Sequence, residues 1–187
     1  MTQKEISSIE EKLRSGLSRG DIFRALGATD NLATQIAAVP NFGDRERYSR
    51  FNSALFVILF YTGIAQAAFP IINFLTAALP IYLAFSLFFP VILSAFLIYS
   101  AFETRKFNGR FYGSSGLLCF YVFFSSLSAY SKSNELGEFF LWLVINFPIL
   151  FGGFLSFYLK KKLCPYLGLW GAKTNGSGHY LFLDATE

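Results

Sequence analysis

A long apolar stretch dominates the hydrophobic pattern of this chain. No charged side chain occurs from Phe51 to Phe102. At about 1.5 Å per helical residue, a helix of this length measures more than twice the roughly 30 Å thickness of a bilayer's hydrocarbon core. The segment must therefore cross a membrane and return, and the pattern predicts a polytopic membrane protein.

The apolar segments predict an all-α fold in which four transmembrane helices form a bundle over residues 51–159. Pro70 and Pro80 indicate helix boundaries on either side of a turn at about 70–78, because proline donates no backbone hydrogen bond and restricts the residue before it. The fourth segment ends at a run of lysines. The predicted spans are about 51–69, 79–102, 113–131 and 139–159.

Residues 1–40 are predicted to form a small unit of three short helices. Apolar residues recur there at helical spacing, and Gly16 is expected to end the first helix. Ser18 is the expected N-cap of the second helix, and Thr29 or Asp30 that of the third. This unit is expected to dock a partner or to cover one mouth of the bundle.

Residues 41–50 are predicted to link this unit to the first span. Charges of alternating sign fill the linker. They either extend the first span as a solvated helical stem or anchor the chain at the lipid headgroups. We favour the anchor, with Tyr48 and Phe51 at the interface.

The distribution of Lys and Arg predicts the orientation. Basic residues precede the first span, fill the loop after the second and follow the fourth, whereas the opposite side has only Lys132. Because cytoplasmic loops carry the excess of Lys and Arg, we expect both termini, including the tail at 160–187, in the cytoplasm. The first forty residues contain no apolar segment of a cleavable signal, so the first span is expected to direct membrane insertion.

Composition agrees with a membrane location and argues against nucleic acid as a partner. Hydrophobic residues make up 53% of the chain, and charged residues make up 15%, against about 25% in soluble domains. The formal net charge is +4, but the basic residues lie mainly beside apolar segments, where lipid headgroups are the simpler partner. Residues 19–36 loosely resemble a helix-turn-helix, yet residues 30–39 contain no Lys or Arg to contact phosphates. We therefore expect a lipid bilayer and no nucleic acid as partner.

The sequence predicts a protein that is not an enzyme. None of the predicted spans contains Asp, Glu, Lys, Arg or His, the groups that proton relays and ion-coupled carriers place there. His179, the only histidine, lies in the tail, and the chain has no glycine-rich phosphate loop and no cysteine cluster. We therefore expect no catalytic, cofactor-binding or metal-binding residues.

Three residues of the fourth span are predicted to pack against neighbouring helices. Gly152 and Ser156 form a small-xxx-small pair, which permits close approach of another backbone. Asn146 carries an amide, and at membrane depth an amide more often bonds a neighbouring helix than a substrate.

The tail contains the most motif-like segment of the chain. Pro165 is expected to end the fourth helix, and Gly168 and Gly171 permit tight turns. The run from Tyr180 to Leu183 is expected to fold back as a short strand or to lie on the bilayer. The candidate partner or interface contacts are Pro165, Tyr166, Gly168, Trp170, Gly171, Tyr180 and Phe182.

The whole layout resembles a loose group of bacterial inner-membrane proteins with four spans. In that group, a short helical N-terminus and four spans precede a tail of the form Lys-Leu-x-Pro-x-x-Gly-x-x-Gly and then Gly-x-Tyr-x-Phe, which here is Lys162 to Gly171 and Gly178 to Phe182. Cys164 departs from this pattern, where a larger apolar residue is expected. Its position suits palmitoylation, but we favour a buried or interfacial thiol without a role. The resemblance implies an inner-membrane location and brings no activity.

These observations favour a non-enzymatic scaffold or regulator that binds another membrane protein. The predicted spans lack ionisable side chains, and the N-terminal unit and the tail are two cytoplasmic elements available for docking. A second hypothesis is a small transporter or channel subunit, which requires a homo-oligomer and a polar lining from Gln66, Asn73 and Asn146. A third is an immunity-type protein against a membrane-active toxin, which shares only size and layout.

Overall fold

The computed structural model describes residues 3–40, 42–77, 81–130, 136–169 and 171–183. The all-α prediction is confirmed, since these residues form seven α-helices, one short 3₁₀ helix and no strand. The helices are α1 (Gln3–Arg14), α2 (Arg19–Ala25), α3 (Asp30–Ala38), α4 (Phe42–Ala77), α5 (Ile81–Arg105), α6 (Gly109–Tyr130) and α7 (Leu136–Leu163), and the 3₁₀ helix spans Leu181–Leu183.

Helices α2 and α3 begin at the caps that the sequence indicates. Ser18 Oγ accepts a hydrogen bond from the Asp21 amide at 3.1 Å, and Thr29 Oγ1 accepts one from the Leu32 amide at 3.3 Å. Each cap satisfies an amide that has no carbonyl partner within the first helical turn. Gly16 follows α1 with a φ of 87°, a left-handed conformation that glycine adopts without strain.

Helix α4 is longer than predicted at both ends. It begins at Phe42, so the charged residues that precede the first predicted span belong to the helix, as in the stem interpretation. It continues through Pro70 to Ala77, so the predicted turn is wrong over residues 70–77; residues 78–80 lie outside the described residues. Membrane helices tolerate proline because local adjustments and neighbouring groups satisfy the freed carbonyls.

Within the described residues, three helices contain segments long and apolar enough to cross a membrane, by length and composition. These segments are Gly43–Ala68, Gly109–Ser128 and Trp142–Leu163. Large apolar side chains on their outward faces are uncovered, among them Val144, which is 70% exposed, and Phe154, which is 62% exposed. Soluble monomers rarely leave wide apolar surfaces in water, so this chain is associated with a membrane.

Small residues bring the long helices into close contact. Ser94 of α5 donates a hydrogen bond to the Gly63 carbonyl of α4 at 2.5 Å. A Cβ at Gly116 of α6 would lie 3.2 Å from the Gly153 carbonyl oxygen of α7. Backbones this close are typical of membrane bundles, in which packing replaces the hydrophobic effect as the attraction between helices.

The N-terminal helices and the tail lie together at the end of the bundle where α4 begins and α7 ends. We call this unit, residues 3–40 with residues 164–169 and 171–183, the cap. Glu10 of α1 pairs with Arg45 of α4 at 2.5 Å, which fixes the cap to the bundle. Arg45 also lies over the Phe107 ring in the α5–α6 loop, 5.8 Å from its centroid.

Candidate functional site

The tail docks on α2 through an aromatic cluster. The Phe23 ring contacts Tyr180 and Phe182 edge to face, with ring centroids 5.4 and 5.7 Å away. Tyr180 stacks on Phe182 at 5.6 Å, and Tyr166 contacts Phe182 at 6.4 Å. Phe182 is 1% exposed. Three of the candidate partner contacts therefore help to join the tail to the chain's own N-terminal helices.

The run from Tyr180 to Leu183 neither forms the predicted strand nor takes the predicted alternative position on the bilayer. Tyr180 makes a single β-bridge with Thr174, and the 3₁₀ helix follows at once, so no strand forms over residues 180–183. Phe182 packs against α2 and not against lipid. The Tyr180 hydroxyl donates a hydrogen bond to the Asp30 carboxylate, and this bond raises the pKa of Tyr180. The tail docks here because the Phe23 ring of α2 packs against Tyr180 and Phe182.

A buried arginine joins the two parts of the cap. Arg19, the first residue of α2, is 2% exposed, and its Nη2 donates a hydrogen bond to the Val39 carbonyl at 3.0 Å. Its guanidinium lies 5.4 Å from the centroid of the Tyr166 ring. Removing a cation from water costs on the order of several kcal/mol, so a buried guanidinium depends on such partners. Arg19 thereby fixes the tail relative to α2 and the end of α3.

Tight turns shape the tail, as the sequence indicates. The Gly168 amide donates to the Gly171 carbonyl at 2.7 Å, which closes the turn between these two glycines. Lys173 Nζ donates to the Pro165 carbonyl at 2.6 Å, just beyond the end of α7. Trp170, the remaining candidate contact, lies outside the described residues.

Cys164 is buried at the junction of cap and bundle. It is 1% exposed, and its Sγ lies 3.4 Å from the Ala38 carbonyl oxygen. A Cβ at Gly109 of α6 would overlap this sulfur, so the space has no room for the larger apolar residue expected here. Burial raises the pKa of Cys164 to about 12, which keeps the thiol protonated. The position therefore fits a structural thiol and is closed to a palmitoylating enzyme.

Beneath the cap, a layer of hydrogen bonds crosses the bundle. Asn52 of α4 donates from Nδ2 to the Thr104 carbonyl of α5 at 2.8 Å. Tyr112 of α6 donates its hydroxyl to Asn52 Oδ1 at 2.6 Å, and Ser156 of α7 donates to the Tyr112 carbonyl. All four residues are buried. This polar layer joins all four long helices at one level, where bonds in a low-dielectric interior fix their register.

The predicted packing residues of α7 lie at contacts between helices. Ser156 belongs to the polar layer. A Cβ at Gly152 would lie 2.6 Å from Ile58 Cγ2 of α4, so α4 meets α7 closely at this point. Asn146 Oδ1 accepts a hydrogen bond from Ser126 of α6 at 3.1 Å.

Reasoning from the sequence missed Arg19, Asn52 and Tyr112. Asn52 and Tyr112 lie near the ends of apolar segments, where polar side chains usually face the headgroups, and no pattern marks them as inward-facing. Arg19 precedes Ile22 and Phe23 by one helical turn, which places it on the buried face of α2. That spacing is the signal by which it could have been found.

The cap also contains an open groove with a volume of about 490 Å³ between α1 and the segment from the end of α2 into α3. Apolar side chains line it together with polar ones; the lining residues are Ser8, Ile9, Leu26, Thr29, Asn31, Leu32 and Gln35. Leu26 is 42% exposed at this groove. A partly apolar surface with a polar rim is typical of a protein contact.

In the described part of the chain, no group of three His, Cys, Asp or Glu side chains is placed to hold a metal ion. In comparisons with known proteins, no family model, no curated protein and no solved structure matches this chain. The geometry of the cap and of the polar layer is therefore the basis for a functional proposal.

Proposed function

We propose that this chain is a four-span protein of a bacterial inner membrane, with both termini in the cytoplasm, that acts as a non-enzymatic scaffold or regulator of another membrane protein. One observation carries the proposal: the N-terminal helices and the described part of the tail fold into a single cap, and this cap has an open, partly apolar groove.

Helix α5 is the proposed fourth span. It contains 25 residues, so its length of about 37 Å exceeds the roughly 30 Å hydrocarbon core. Ile92 is 64% exposed on its outward face, as expected for a side chain in contact with lipid. The bond between Asn52 and the Thr104 carbonyl holds α5 beside α4 within the bundle.

The cap side is the proposed cytoplasmic side. Basic residues that are exposed to solvent cluster at this end of the bundle; they are Arg47, Arg50, Arg105, Lys106, Lys161 and Lys162. Cytoplasmic segments carry the excess of Lys and Arg in membrane proteins, which supports this orientation.

The interior of the bundle supports a scaffold more than a carrier. Asn52, Tyr112 and Asn146 bond groups of neighbouring helices. A conducting path needs polar groups that exchange their partners with a passing substrate. The groove on the cap instead offers an accessible surface, with Leu26 available to pack against a partner's side chain.

The topology is tested with fusions to a phosphatase that is active only outside the cytoplasm. Fusions after Glu187 and after Phe107 should be inactive, and a fusion after Ser133 should be active. Activity after Glu187 would contradict the orientation, and silence after Ser133 would contradict four spans.

Partner binding is tested by affinity purification of the full chain in mild detergent. We expect a membrane protein to co-purify with the wild type and to be lost with Leu26→Glu, because a carboxylate in the groove removes the apolar contact. Leu17→Glu is the matched control, since Leu17 is 45% exposed and lies outside the groove lining. Retention of the partner by Leu26→Glu at equal accumulation would contradict the proposal. Flux through vesicles of purified protein, abolished by Asn146→Leu, would support the carrier hypothesis instead.

A further inference from the structure

Lys160 is the buried member of the lysine run that ends α7. It is 7% exposed, whereas Lys161 and Lys162 are exposed. Its Nζ lies 2.8 Å from the position that a Cβ would take at Gly113 of α6, and its Cδ and Cε each lie 3.6 Å from that position. The side chain therefore lies along α6, in space that the missing side chain of Gly113 leaves open.

No acidic group neutralises this ammonium within the residues that the structure describes. The carboxylates that form ion pairs there bond other cations; the pairs are Asp21 with Arg24, Glu10 with Arg45, and Glu103 with Lys106. Lys160 Nζ is not among the fully buried side-chain nitrogen atoms that lack a hydrogen-bond partner, so the ammonium can be reached from outside the chain. No described carboxylate therefore competes with an anion that approaches Lys160 from outside the chain.

Two further cations lie near this end of α6 and α7. Arg110 precedes Gly113 by about one turn of α6, and its Nε is buried without a hydrogen-bond partner in the described part of the chain. Lys173 of the tail donates from Nζ to the carbonyl of Pro165, five residues beyond Lys160. Three cations thus lie at the end of α6 and α7 that is next to the cap.

The seam between α6 and α7 connects this corner to the lipid-facing surface. Phe157, about one turn before Lys160, fills the space at Gly116, where a Cβ would lie 2.7 Å from the Phe157 ring. Phe120 stacks on Phe157 at 5.9 Å and contacts Phe154 at 5.1 Å. Phe154 is largely exposed, so the seam reaches the lipid-facing surface at this residue.

We propose that Lys160 binds the phosphate of an anionic phospholipid, such as phosphatidylglycerol, from the leaflet on the cap side, with the acyl chains along the seam formed by Phe120 and Phe154. Lysine binds phosphate as a compact point charge, and basic pockets between membrane helices hold anionic headgroups. This inference rests on the membrane-spanning arrangement proposed above and is independent of the proposed protein partner.

The test uses the purified full chain in detergent micelles, with lipid binding followed by native mass spectrometry. Phosphatidylglycerol is titrated against phosphatidylcholine, and sodium phosphate without lipid is the third ligand. We expect phosphatidylglycerol to bind selectively. Lys160→Met should weaken its binding about tenfold or more, because a charge-assisted hydrogen bond is lost. Lys161→Met gives the chain the same net charge as Lys160→Met does. It should change phosphatidylglycerol binding by less than about threefold, as expected for an exposed charge.

Equal losses in Lys160→Met and Lys161→Met would overturn the proposal, because they would indicate general attraction to basic residues. Equal binding of phosphatidylcholine, or full competition by sodium phosphate at equal concentration, would also overturn it. If Lys160→Met does not fold, Lys160→Gln decides the question, since it keeps a polar side chain without the charge; unchanged selectivity in this variant would overturn the proposal. These measurements do not depend on binding of a protein partner. A failure of the lipid site can therefore be distinguished from a failure of the scaffold proposal.

Discussion

The guanidinium of buried Arg19 lies 5.4 Å from the centroid of the Tyr166 ring, so residues far apart in the sequence share one contact. Arg19 lies on α2 and Tyr166 lies just beyond α7. All four long helices therefore lie between these two residues in the sequence. The two parts of the cap are therefore coupled: a change that loosens one is expected to loosen the other.

Replacement of Arg19 should release the tail. Arg19→Ala removes the hydrogen bond to the Val39 carbonyl and the contact with Tyr166, and it leaves a cavity. We expect the free energy of unfolding of the cap to fall by about 2–4 kcal/mol. Limited proteolysis in detergent should then cleave the tail faster than in the wild type. Arg24→Ala, on the exposed face of α2, should cost less than about 0.5 kcal/mol; equal cleavage of both variants would contradict the coupling.

The polar layer should be sensitive to a single hydroxyl. Tyr112→Phe keeps the ring but leaves Asn52 Oδ1 without its donor, inside the bundle. We expect a loss of about 1–2 kcal/mol, measured as a lower Tm in detergent. Tyr121→Phe is the control on the same helix, because Tyr121 is exposed and contacts Phe89 through its ring. Equal Tm values for both variants would mean that the layer contributes nothing to stability.

The sequence predicts the helices well because their signals are local. Ser18 and Thr29 act as N-caps, and caps depend on residues only three positions apart. Absence of charge identifies apolar helices in the same direct way. The turn predicted from Pro70 is wrong because proline usually marks a helix boundary in water, whereas a membrane helix can continue through it.

The cap is less predictable because its contacts join distant parts of the chain. Phe182 and Tyr180 have the composition of an interface segment, and nothing in their spacing identifies Phe23 as the surface that they cover. The polar layer presents the same difficulty, since Asn52 and Tyr112 meet only after the helices have packed. Periodicity reports the face of a helix and not its partner.

A methyl group at Gly152 should disturb the contact between α7 and α4. In Gly152→Ala the new Cβ would lie 2.6 Å from Ile58 Cγ2, so either the Ile58 side chain or one of the helices must shift. We expect a cost of about 1–3 kcal/mol, seen as a lower Tm in detergent and lower accumulation. A chain that combines Gly152→Ala with Ile58→Ala lacks the clashing methyl. Gly152→Ala should therefore cost less in the Ile58→Ala background than in the wild type. Gly43→Ala has nothing within 4 Å of its Cβ and should be neutral or slightly stabilising.

Glu103, in the last turn of α5, should make stability depend on pH in the acid range. Burial alone would raise the pKa of Glu103, but hydrogen bonds from Asn108 at 2.8 Å and Lys106 at 3.0 Å outweigh it and lower this pKa below its ordinary value of 4.5. A carboxyl group with a lowered folded-state pKa stabilises the fold above its ordinary pKa, and this contribution is lost as the pH falls through the folded-state value. Glu103→Gln should therefore be less stable than the wild type at about pH 7, by about 1 kcal/mol or less.

The same difference should shrink as the pH falls below 4.5, because the wild-type carboxyl group becomes protonated and resembles the neutral amide. Tm in detergent, measured for wild type and Glu103→Gln at matched ionic strength across this range, provides the check. Glu46→Gln, at an exposed position of α4, should follow the wild type throughout. A gap between wild type and Glu103→Gln that stays constant into the acid range would show that the carboxylate does not act through its charge.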